Sequence, residues 1–365
     1  MEFINSFFGA FAFVDASALP DLNAIGKLVQ LLYNWIGNYG WTVVVFTVFL
    51  KLLTLPLDFW QRYSTKKNAD KMEDMKPLLA NIDKQYGHDQ NKANEEKRKL
   101  YKKQGYSMGA QCLPLIITMA VFIFMFSGLQ SYTNYISKYN YALLTETYIT
   151  AFNENLAESG DQSEALEAGQ EAVKVIYTNE IEEKFLWINN IWRPDTWSAT
   201  MADADTYVKG GMGSVALTAV EKAEFSKEQY NVIREAVIEV SPGYFSKINT
   251  DGSIKAGWNG LIILPILAVA LTFLSTWITQ KQTAAAKKSN DEAPDPTQQS
   301  SKMMMFMMPI MMGAFAIFYT AAFAVYMVSN SMLTILTTFI IQPIVNSMVE
   351  KKKNQNKETK ASYKR

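Results

Sequence analysis

The sequence has almost none of the residues on which disulfide-stabilised domains and histidine-based metal sites depend. It contains one cysteine, Cys112, and one histidine, His88, in 365 residues. A single cysteine excludes an intramolecular disulfide, and a single histidine argues against a histidine-based metal site. We also find no nucleophile paired with a base and no phosphate-binding loop. The sequence therefore predicts a protein that is not an enzyme, needs no cofactor or metal, and has no small-molecule substrate.

The formal net charge is zero, because 35 Lys and Arg balance 35 Asp and Glu. This balance gives no reason to expect a nucleic-acid partner. Hydrophobic residues make up 49% of the chain, yet the mean hydropathy is only −0.05. Such a mixture indicates apolar blocks separated by polar blocks.

Charged side chains are absent from four long runs, at residues 28–50, 104–137, 256–280 and 303–349. A helix needs roughly 20 apolar residues to cross the hydrocarbon core of a membrane. Each of the first three runs supplies one such helix, and the last is long enough for two with a tight turn near residues 320–323. We therefore predict an all-α polytopic membrane protein whose five transmembrane helices lie at about 41–60, 110–130, 259–279, 303–320 and 323–346.

The distribution of charge predicts the orientation of these helices. Lysine and arginine are concentrated in segments 61–109, 280–302 and 347–365, which five spans place on the same side of the membrane. Basic loops favour the cytoplasmic side. The N-terminal segment 1–40 and the loop 131–258 then lie outside, and this outer loop carries nineteen Asp and Glu against ten Lys and Arg. We expect the C-terminus in the cytoplasm.

The N-terminal segment contains two features that predict different structures. Residues 7–18 have the outline of a signal peptide, but Glu2 stands where a basic residue is expected, so cleavage is left open. Residues 22–36 carry apolar side chains at helical spacing. We predict that they form an amphipathic helix lying on the outer membrane surface.

The polar segments are expected to be helical. In 61–109, apolar residues recur at three- and four-residue steps from Met72 to Tyr86, which predicts a helical hairpin. Residues 87–89 would form its turn with Asp89 as a helix cap, and Gly105 would end the second helix. The outer loop 131–258 is predicted to be mainly helical at 141–186 and 216–240, with a capping box at 226–229.

Lys51 stands out because it lies in the middle of the first predicted span. A charge at the centre of a bilayer costs roughly 2.5–3.5 kcal/mol on insertion scales. The sequence 43-VVVFTVFLKLLTLPLDFW-60 places Thr47, Lys51, Thr54 and Asp58 at spacings of four and three, so they share one helix face. Spans two to five contain no Asp or Glu, so we expect Lys51 to face water in a groove, as its only fixed charge.

Uncharged polar residues on the other spans complete this predicted groove. The predicted substrate-binding residues are Lys51, Thr47, Thr54, Gln111, Thr118, Asn330 and Thr334. Further candidates are Thr272, Ser275, Thr276, Thr279, Ser329, Thr337 and Thr338. The alternative is that the Ser and Thr residues pack helices together, and that Lys51 extends toward the membrane surface.

These motifs, in this order, resemble the YidC/Oxa1/Alb3 family of membrane protein insertases. The similarity covers 41–138, including 49-FLKLLTLPLDFWQRYSTKK-67 and 100-LYKKQGYSMGAQCLPLII-117. It resumes at 185-FLWINNIWRPD-195 and continues through 261–279 and 303–340. The chain is most similar to Gram-positive bacterial members, although its outer loop is longer than is usual in the family.

The resemblance implies both a site and partners. Members of the family have a hydrophilic groove that is open to the cytoplasm and carries one positive charge, usually arginine, at the position that Lys51 occupies here. They insert and help fold single- or few-span proteins in the cytoplasmic membrane, alone or with the Sec translocon. Implied partners are nascent membrane-protein substrates, the ribosome, the Sec translocon and membrane lipids.

Two other functions remain open from the residues alone. A channel or transporter would carry pore-lining charges on several spans or internal repeats. A membrane-anchored scaffold would explain the outer loop, but it would leave Lys51 without a role.

Overall fold

A computed structural model describes residues 22–106, 109–197, 201–209, 226–241, 245–248, 254–284 and 309–362. Several predictions fall elsewhere: the signal-like segment 7–18, most of the 280–302 loop and the first part of the fourth predicted span lie outside the described residues. The side chains of Gln111 and Thr118 also lie outside them.

Helices make up most of the described chain, which confirms the mainly helical prediction. In chain order they are α1 (Ala24–Ile36), α2 (Tyr39–Tyr86), α3 (Gln90–Lys103), α4 (Gly109–Ser159), α5 (Gln162–Ile176), a π-helix (Tyr177–Ile181), α6 (Ala204–Lys209), α7 (Lys227–Val240), α8 (Ile263–Ala284), α9 (Pro309–Phe318) and α10 (Ala321–Ser362).

A short antiparallel β-hairpin interrupts the otherwise helical outer loop and was not predicted. It consists of β1 (Phe245–Ile248) and β2 (Ile254–Ala256). Phe245 pairs with Ala256 and Ile248 pairs with Ile254, and the register shifts within β1. Strands of four and three residues carry too short an alternation to be separated from loop sequence.

Two helices are longer than predicted. The 48-residue α2 continues from the first predicted span into the first helix of the predicted hairpin. The 51-residue α4 continues from the second predicted span into the outer loop. Among the described residues, Tyr39–Tyr86 and Ala321–Gln355 are long and apolar enough to cross a membrane by length and composition, and Ile263–Thr279 and Pro309–Phe318 are shorter apolar helices.

The described residues divide into two compact units. The first unit contains the described residues of 22–46, 124–269 and 310–328, and the second contains those of 47–123, 270–284, 309 and 329–362.

The core of the first unit is formed by the second half of α4 with α5, the π-helix, α6 and α7. Buried members include Tyr148, Val173, Tyr177, Ile233 and Val237. The cap predicted at Ser226 is confirmed, because its Oγ accepts a hydrogen bond from the backbone N–H of Gln229 at 3.3 Å; residues 216–225 of the predicted helix lie outside the described residues. This cap satisfies a donor that the first turn of a helix leaves free.

A buried polar network fixes the tryptophan-rich segment 185–197 within the first unit. The side-chain amide of Asn259 donates to the carbonyl oxygens of Asn190 (2.8 Å) and Pro194 (2.9 Å). The carboxylate of Asp195 accepts from the backbone N–H groups of Ile262 (2.8 Å) and Leu264 (2.7 Å) at the start of α8. Gly260 fits this approach because an added Cβ would lie 2.1 Å from Oδ1 of Asp195.

The predicted amphipathic helix at 22–36 corresponds to α1. Asn23 caps it by accepting from the N–H of Gly26 at 2.7 Å, and Gly37 ends it with a positive φ of 74°. Val29 is buried, whereas Leu31 and Trp35 are exposed. An apolar exposed face fits the predicted position on a membrane surface, which stays a prediction.

The predicted hairpin is present in the second unit. Asp89 caps α3 by accepting from the N–H groups of Asn91 and Lys92, both at 3.2 Å. The predicted end at Gly105 is also confirmed, with a φ of 59° just after α3. Met72 and Met75 are buried against Tyr106, so the repeat read from the sequence is the packed side of α2.

Candidate functional site

Lys51 has a carboxylate partner on its own helix. Its Nζ lies 2.7 Å from Oδ2 of Asp58 and donates to Oγ1 of Thr334 on α10 at 3.2 Å. The expectation that Lys51 faces only water, with no ionic partner, is therefore wrong. Seven residues separate Lys51 from Asp58, about 10 Å along a helix axis, a distance that the long lysine side chain spans together with the aspartate.

The ion pair is sheltered but not sealed from its surroundings. The side chains of Lys51 and Asp58 are 12% and 20% exposed. Fully exposed pairs contribute about 0–1 kcal/mol to stability, whereas removing one member of a fully buried pair costs about 3–5 kcal/mol. We expect this pair to lie between those limits.

Arg62 is a second cation on the same face of α2, and the sequence interpretation treated it only as a basic loop residue. Its Nη2 donates to Oγ1 of Thr338 at 2.7 Å, and its Nη1 lies 3.5 Å from Oε1 of Gln342. Burial lowers the pKa of the Arg62 guanidinium, while the negative charge of Asp58 acts in the opposite direction. The sequence feature that could have identified Arg62 is its position four residues after Asp58, which places both side chains on one face of the helix.

The α10 residues that meet these cations lie four residues apart. Oγ1 of Thr334 donates to the carbonyl of Asn330 at 2.7 Å, and Oγ1 of Thr338 donates to the carbonyl of Thr334 at 2.6 Å. Because each hydroxyl proton is directed to the backbone, the oxygen lone pairs are available to accept from Lys51 and Arg62. We call Lys51, Asp58, Arg62, Thr334, Thr338 and Gln342 the polar ladder.

An apolar cluster holds α2 and α10 together in the same unit. Ile341, Val345 and Val349 of α10 are buried, with Leu55, Phe59 and Tyr63 of α2 packed against them. These contacts do not depend on the ionic groups. This packing holds the backbones of α2 and α10 next to each other, whichever partners the side chains of the ladder contact.

The other predicted site residues have different placements. Thr54 donates to the backbone carbonyl of Lys51 at 3.2 Å, Thr47 is buried, and Asn330 meets the ladder through its carbonyl oxygen. Gln111 and Thr118, whose side chains are not described, stay predictions. Thr272 of α8 and Ser331 of α10 pair through their hydroxyls at 3.0 Å.

Most other candidate hydroxyls bond to their own helix. Ser275 and Thr276 donate to the carbonyl of Thr272 at 2.9 and 2.8 Å, and Thr279 donates to that of Ser275 at 2.8 Å. Such bonds satisfy a hydroxyl without any ligand. They favour the alternative in which these residues serve helix packing.

A further ion pair joins the hairpin to the C-terminal part of α10. Nζ of Lys353 lies 3.0 Å from Oδ1 of Asp74. Burial lowers the pKa of Lys353, but the hydrogen bond and charge of Asp74 outweigh it, so that the pKa is raised. This pair lies outside the polar ladder.

The chemistry of the ladder is that of a polar binding surface. Two cations and several oxygen acceptors can interact with carboxylates, amides and hydroxyls of an extended chain. Within the part of the chain that the structure describes, no group of three His, Cys, Asp or Glu side chains could hold a metal ion.

Comparison with known proteins gives matches along most of the chain. A family model described as "60Kd inner membrane protein" matches residues 31–351. A protein from Caldanaerobacter subterraneus subsp. tengcongensis is 33% identical over 108 residues, which are 30% of this chain and 50% of that protein. It is named membrane protein insertase YidC.

Two more relatives carry the same name. The protein from Cupriavidus necator is 33% identical over 99 residues, 27% of this chain and 17% of its own length. The protein from Nitratidesulfovibrio vulgaris strain DP4 is 29% identical over 102 residues, 28% of this chain and 18% of its own length. The matched segments thus span half or less of each relative.

Proposed function

This chain belongs to the 60Kd inner membrane protein family, and from that premise we propose that it is a membrane protein insertase. It would insert and help fold single- or few-span proteins in a bacterial cytoplasmic membrane. The names of the relatives support this function. In this proposal the insertion step uses no catalytic group.

One observation carries the proposal: Lys51 lies in an apolar stretch of α2, and its partners come from α2 itself (Asp58) and from the facing helix α10 (Thr334). The Nζ contacts with Asp58 (2.7 Å) and Thr334 (3.2 Å) keep the ammonium satisfied there. A cation at this depth costs several kcal/mol without such partners. A surface of this kind can receive the polar segment of another chain while its apolar segment enters lipid.

The mechanism follows from the ladder. The polar or acidic outer tail of a substrate binds near Lys51, and oxygen acceptors along α10 replace part of its hydration. The apolar segment of the substrate then moves into the bilayer, and burial of its apolar surface drives the step. The membrane potential favours outward transfer of negative charge by about 2.3 kcal/mol per charge per 100 mV.

The arrangement in the membrane is part of the proposal. Five spans, at the positions predicted above, would surround a groove that is open to the cytoplasm, with the N-terminus outside and the C-terminus inside. Nascent membrane proteins are the proposed substrates, and the basic hairpin and tail are the proposed contacts for the ribosome. The Sec translocon and lipids are further proposed partners.

Reconstitution tests this function directly. Purified protein in liposomes receives a short single-span substrate with an acidic outer tail, and protease-protected substrate is measured for wild type, Lys51→Arg and Lys51→Ala. Arg retains the charge, so we expect insertion by wild type and Lys51→Arg. We expect about a tenfold loss for Lys51→Ala, as for one charge-assisted hydrogen bond of about 1.5 kcal/mol.

The controls separate the rival functions. Failure of wild type to insert, beside a working insertase from another source, would refute the proposal and favour a scaffold. Ion or solute flux through the purified protein would favour a channel or transporter. Equal insertion by all three versions would retain the insertase but remove Lys51 from the substrate contact.

A further inference from the structure

The polar ladder contains a carboxylate that competes with the proposed substrate. Oδ2 of Asp58 lies 2.7 Å from Nζ of Lys51, where the carboxylate of an acidic tail would bind. Both groups belong to α2, seven residues apart. The cation proposed to attract the substrate is therefore already paired.

We propose that Asp58 is an internal counter-ion that holds Lys51 at rest, and that an acidic substrate must displace it. This inference rests on the proposed insertase function. It makes Asp58 a residue that sets specificity, because displacement requires a substrate carboxylate to compete with one that is always present. Substrates with neutral tails gain nothing from the exchange.

The pair is poorly suited to a purely structural role. Both of its members lie on one helix, so it joins no second element to the fold. The link between helices comes from Lys51 and Thr334 at 3.2 Å, and from the apolar cluster of Ile341, Val345 and Val349 with α2. The Lys51–Asp58 contact instead reduces the positive charge that Lys51 presents to a substrate.

The geometry permits exchange in steps. A lysine ammonium has three donors, of which one is directed to Thr334, while the carboxylate of Asp58 lies beside it as an ion pair. An incoming carboxylate can first share the ammonium with Asp58 and then replace it. At 12% and 20% exposure, the pair is not sealed in the way that makes buried pairs costly to open.

Arg62 lowers the cost of displacing Asp58. Arg62 lies four residues after Asp58 on α2, so the two side chains share one face of the helix. When Asp58 leaves Lys51, it can turn toward this second cation. The exchange therefore does not strand an unpaired carboxylate, which would be the main penalty.

Removing the internal counter-ion should speed insertion of acidic substrates. Initial rates are measured in liposomes for wild type and Asp58→Asn, with one substrate bearing an acidic tail and one in which Asn replaces each tail Asp. The upper limit for exposed pairs is about 1 kcal/mol, and this pair is less exposed than those, so we expect Asp58→Asn to insert the acidic substrate about 5-fold faster or more. The rate for the neutral substrate should not change.

Three variants isolate the charge of Asp58. Asp74→Asn removes one carboxylate from the same helix outside the ladder and should leave both rates unchanged. Asp58→Glu restores a counter-ion and should return the acidic-tail rate toward that of wild type. In Lys51→Ala/Asp58→Asn the gain should disappear, because it acts through Lys51.

Each remaining outcome is decisive. Wild-type insertion with no gain, or with a loss, in a folded Asp58→Asn protein overturns the counter-ion role and leaves the insertase intact. Asp58→Ser is the second variant if Asp58→Asn does not fold; if neither folds, Asp58 is structural and the proposal is overturned. Failure of wild type to insert removes the proposed function, and this inference with it.

Discussion

The two units use buried polar side chains in opposite ways. In the first unit, Asn259 and Asp195 are fully buried and bond to backbone groups of residues 190–194 and 262–264. In the second unit, Lys51, Asp58 and Arg62 are partly exposed, and most of their bonds go to other side chains. The Asn259–Asp195 network thus holds backbone segments in place, whereas the polar ladder is made mainly of contacts between partly exposed side chains.

The difference follows from what each bond leaves behind when it breaks. A buried backbone N–H that loses its acceptor has no other partner, so it pays the full cost of desolvation. A lysine in a partly exposed ladder can turn to another oxygen. The first arrangement gives rigidity, and the second is the one that our proposal requires.

The largest effect is expected from breaking the polar network of the first unit. Asp195→Ala removes both acceptors at the start of α8, and each charge-assisted bond is worth about 1.5–3 kcal/mol. We expect a loss of about 3–5 kcal/mol in the free energy of unfolding, measured by denaturation in detergent. Asp195→Asn retains one acceptor oxygen and should lose less; equal losses would show that a single neutral acceptor supplies none of the stabilisation.

A smaller loss of stability is expected from the ladder. Arg62→Met retains much of the apolar stem but removes the contact with Thr338 at 2.7 Å. We expect a loss of about 1–2 kcal/mol in the same measurement. Arg98→Met changes an exposed arginine of the hairpin and is the control. A loss for Arg62→Met as large as that for Asp195→Ala would mean that the ladder and the buried network contribute equally to the free energy of unfolding.

Local features were predictable from the sequence, whereas distant pairings were not. The Asp89 cap, the Met72–Met75 packing side and the helix at 22–36 each follow from a spacing within a few residues. Asn190 and Asn259 lie 69 residues apart, and neither has a local pattern that indicates its partner. The β-hairpin was missed for a different reason, since its strands are too short to show a period.

The candidate site was predicted in part. Lys51 was found because a charge inside an apolar helix is rare, and Thr334 because it lies on a polar face of the last span. Asp58 lay on the predicted face, but it was missed as a partner because carboxylates were sought only on other spans. Arg62 was missed because it follows the predicted end of the span by two residues.

The comparison can be sharpened with Glu183, a carboxylate of the first unit that accepts from neutral donors. Burial raises the pKa of Glu183, although the N–H of Tyr39 and the hydroxyl of Tyr33 both donate to it and act to lower it. A raised pKa means that the folded protein binds the proton more tightly than the unfolded chain does. Its contribution to stability is therefore full below the unfolded value of about 4.5 and is lost as pH rises through the folded value.

The measurement is the melting temperature of wild type and Glu183→Gln from pH 4 upward. Gln keeps an oxygen acceptor but cannot ionise. We expect the wild type to lose stability relative to Glu183→Gln as pH increases above about 4.5. Parallel curves would mean that Glu183 titrates alike in the folded and unfolded states.

The smallest effect is expected at an exposed ion pair of the first unit. Nζ of Lys227 lies 2.6 Å from Oδ1 of Asp205, but the two side chains are 61% and 64% exposed. Water and salt screen such a pair, and ordering two long side chains offsets most of the attraction. We expect Lys227→Ala and Asp205→Ala each to change the free energy of unfolding by less than about 0.5 kcal/mol. If either cost as much as Arg62→Met, then exposure would not explain why ion pairs in the two units differ, and the assignment of the Lys51–Asp58 pair to an exchangeable class would lose its physical basis.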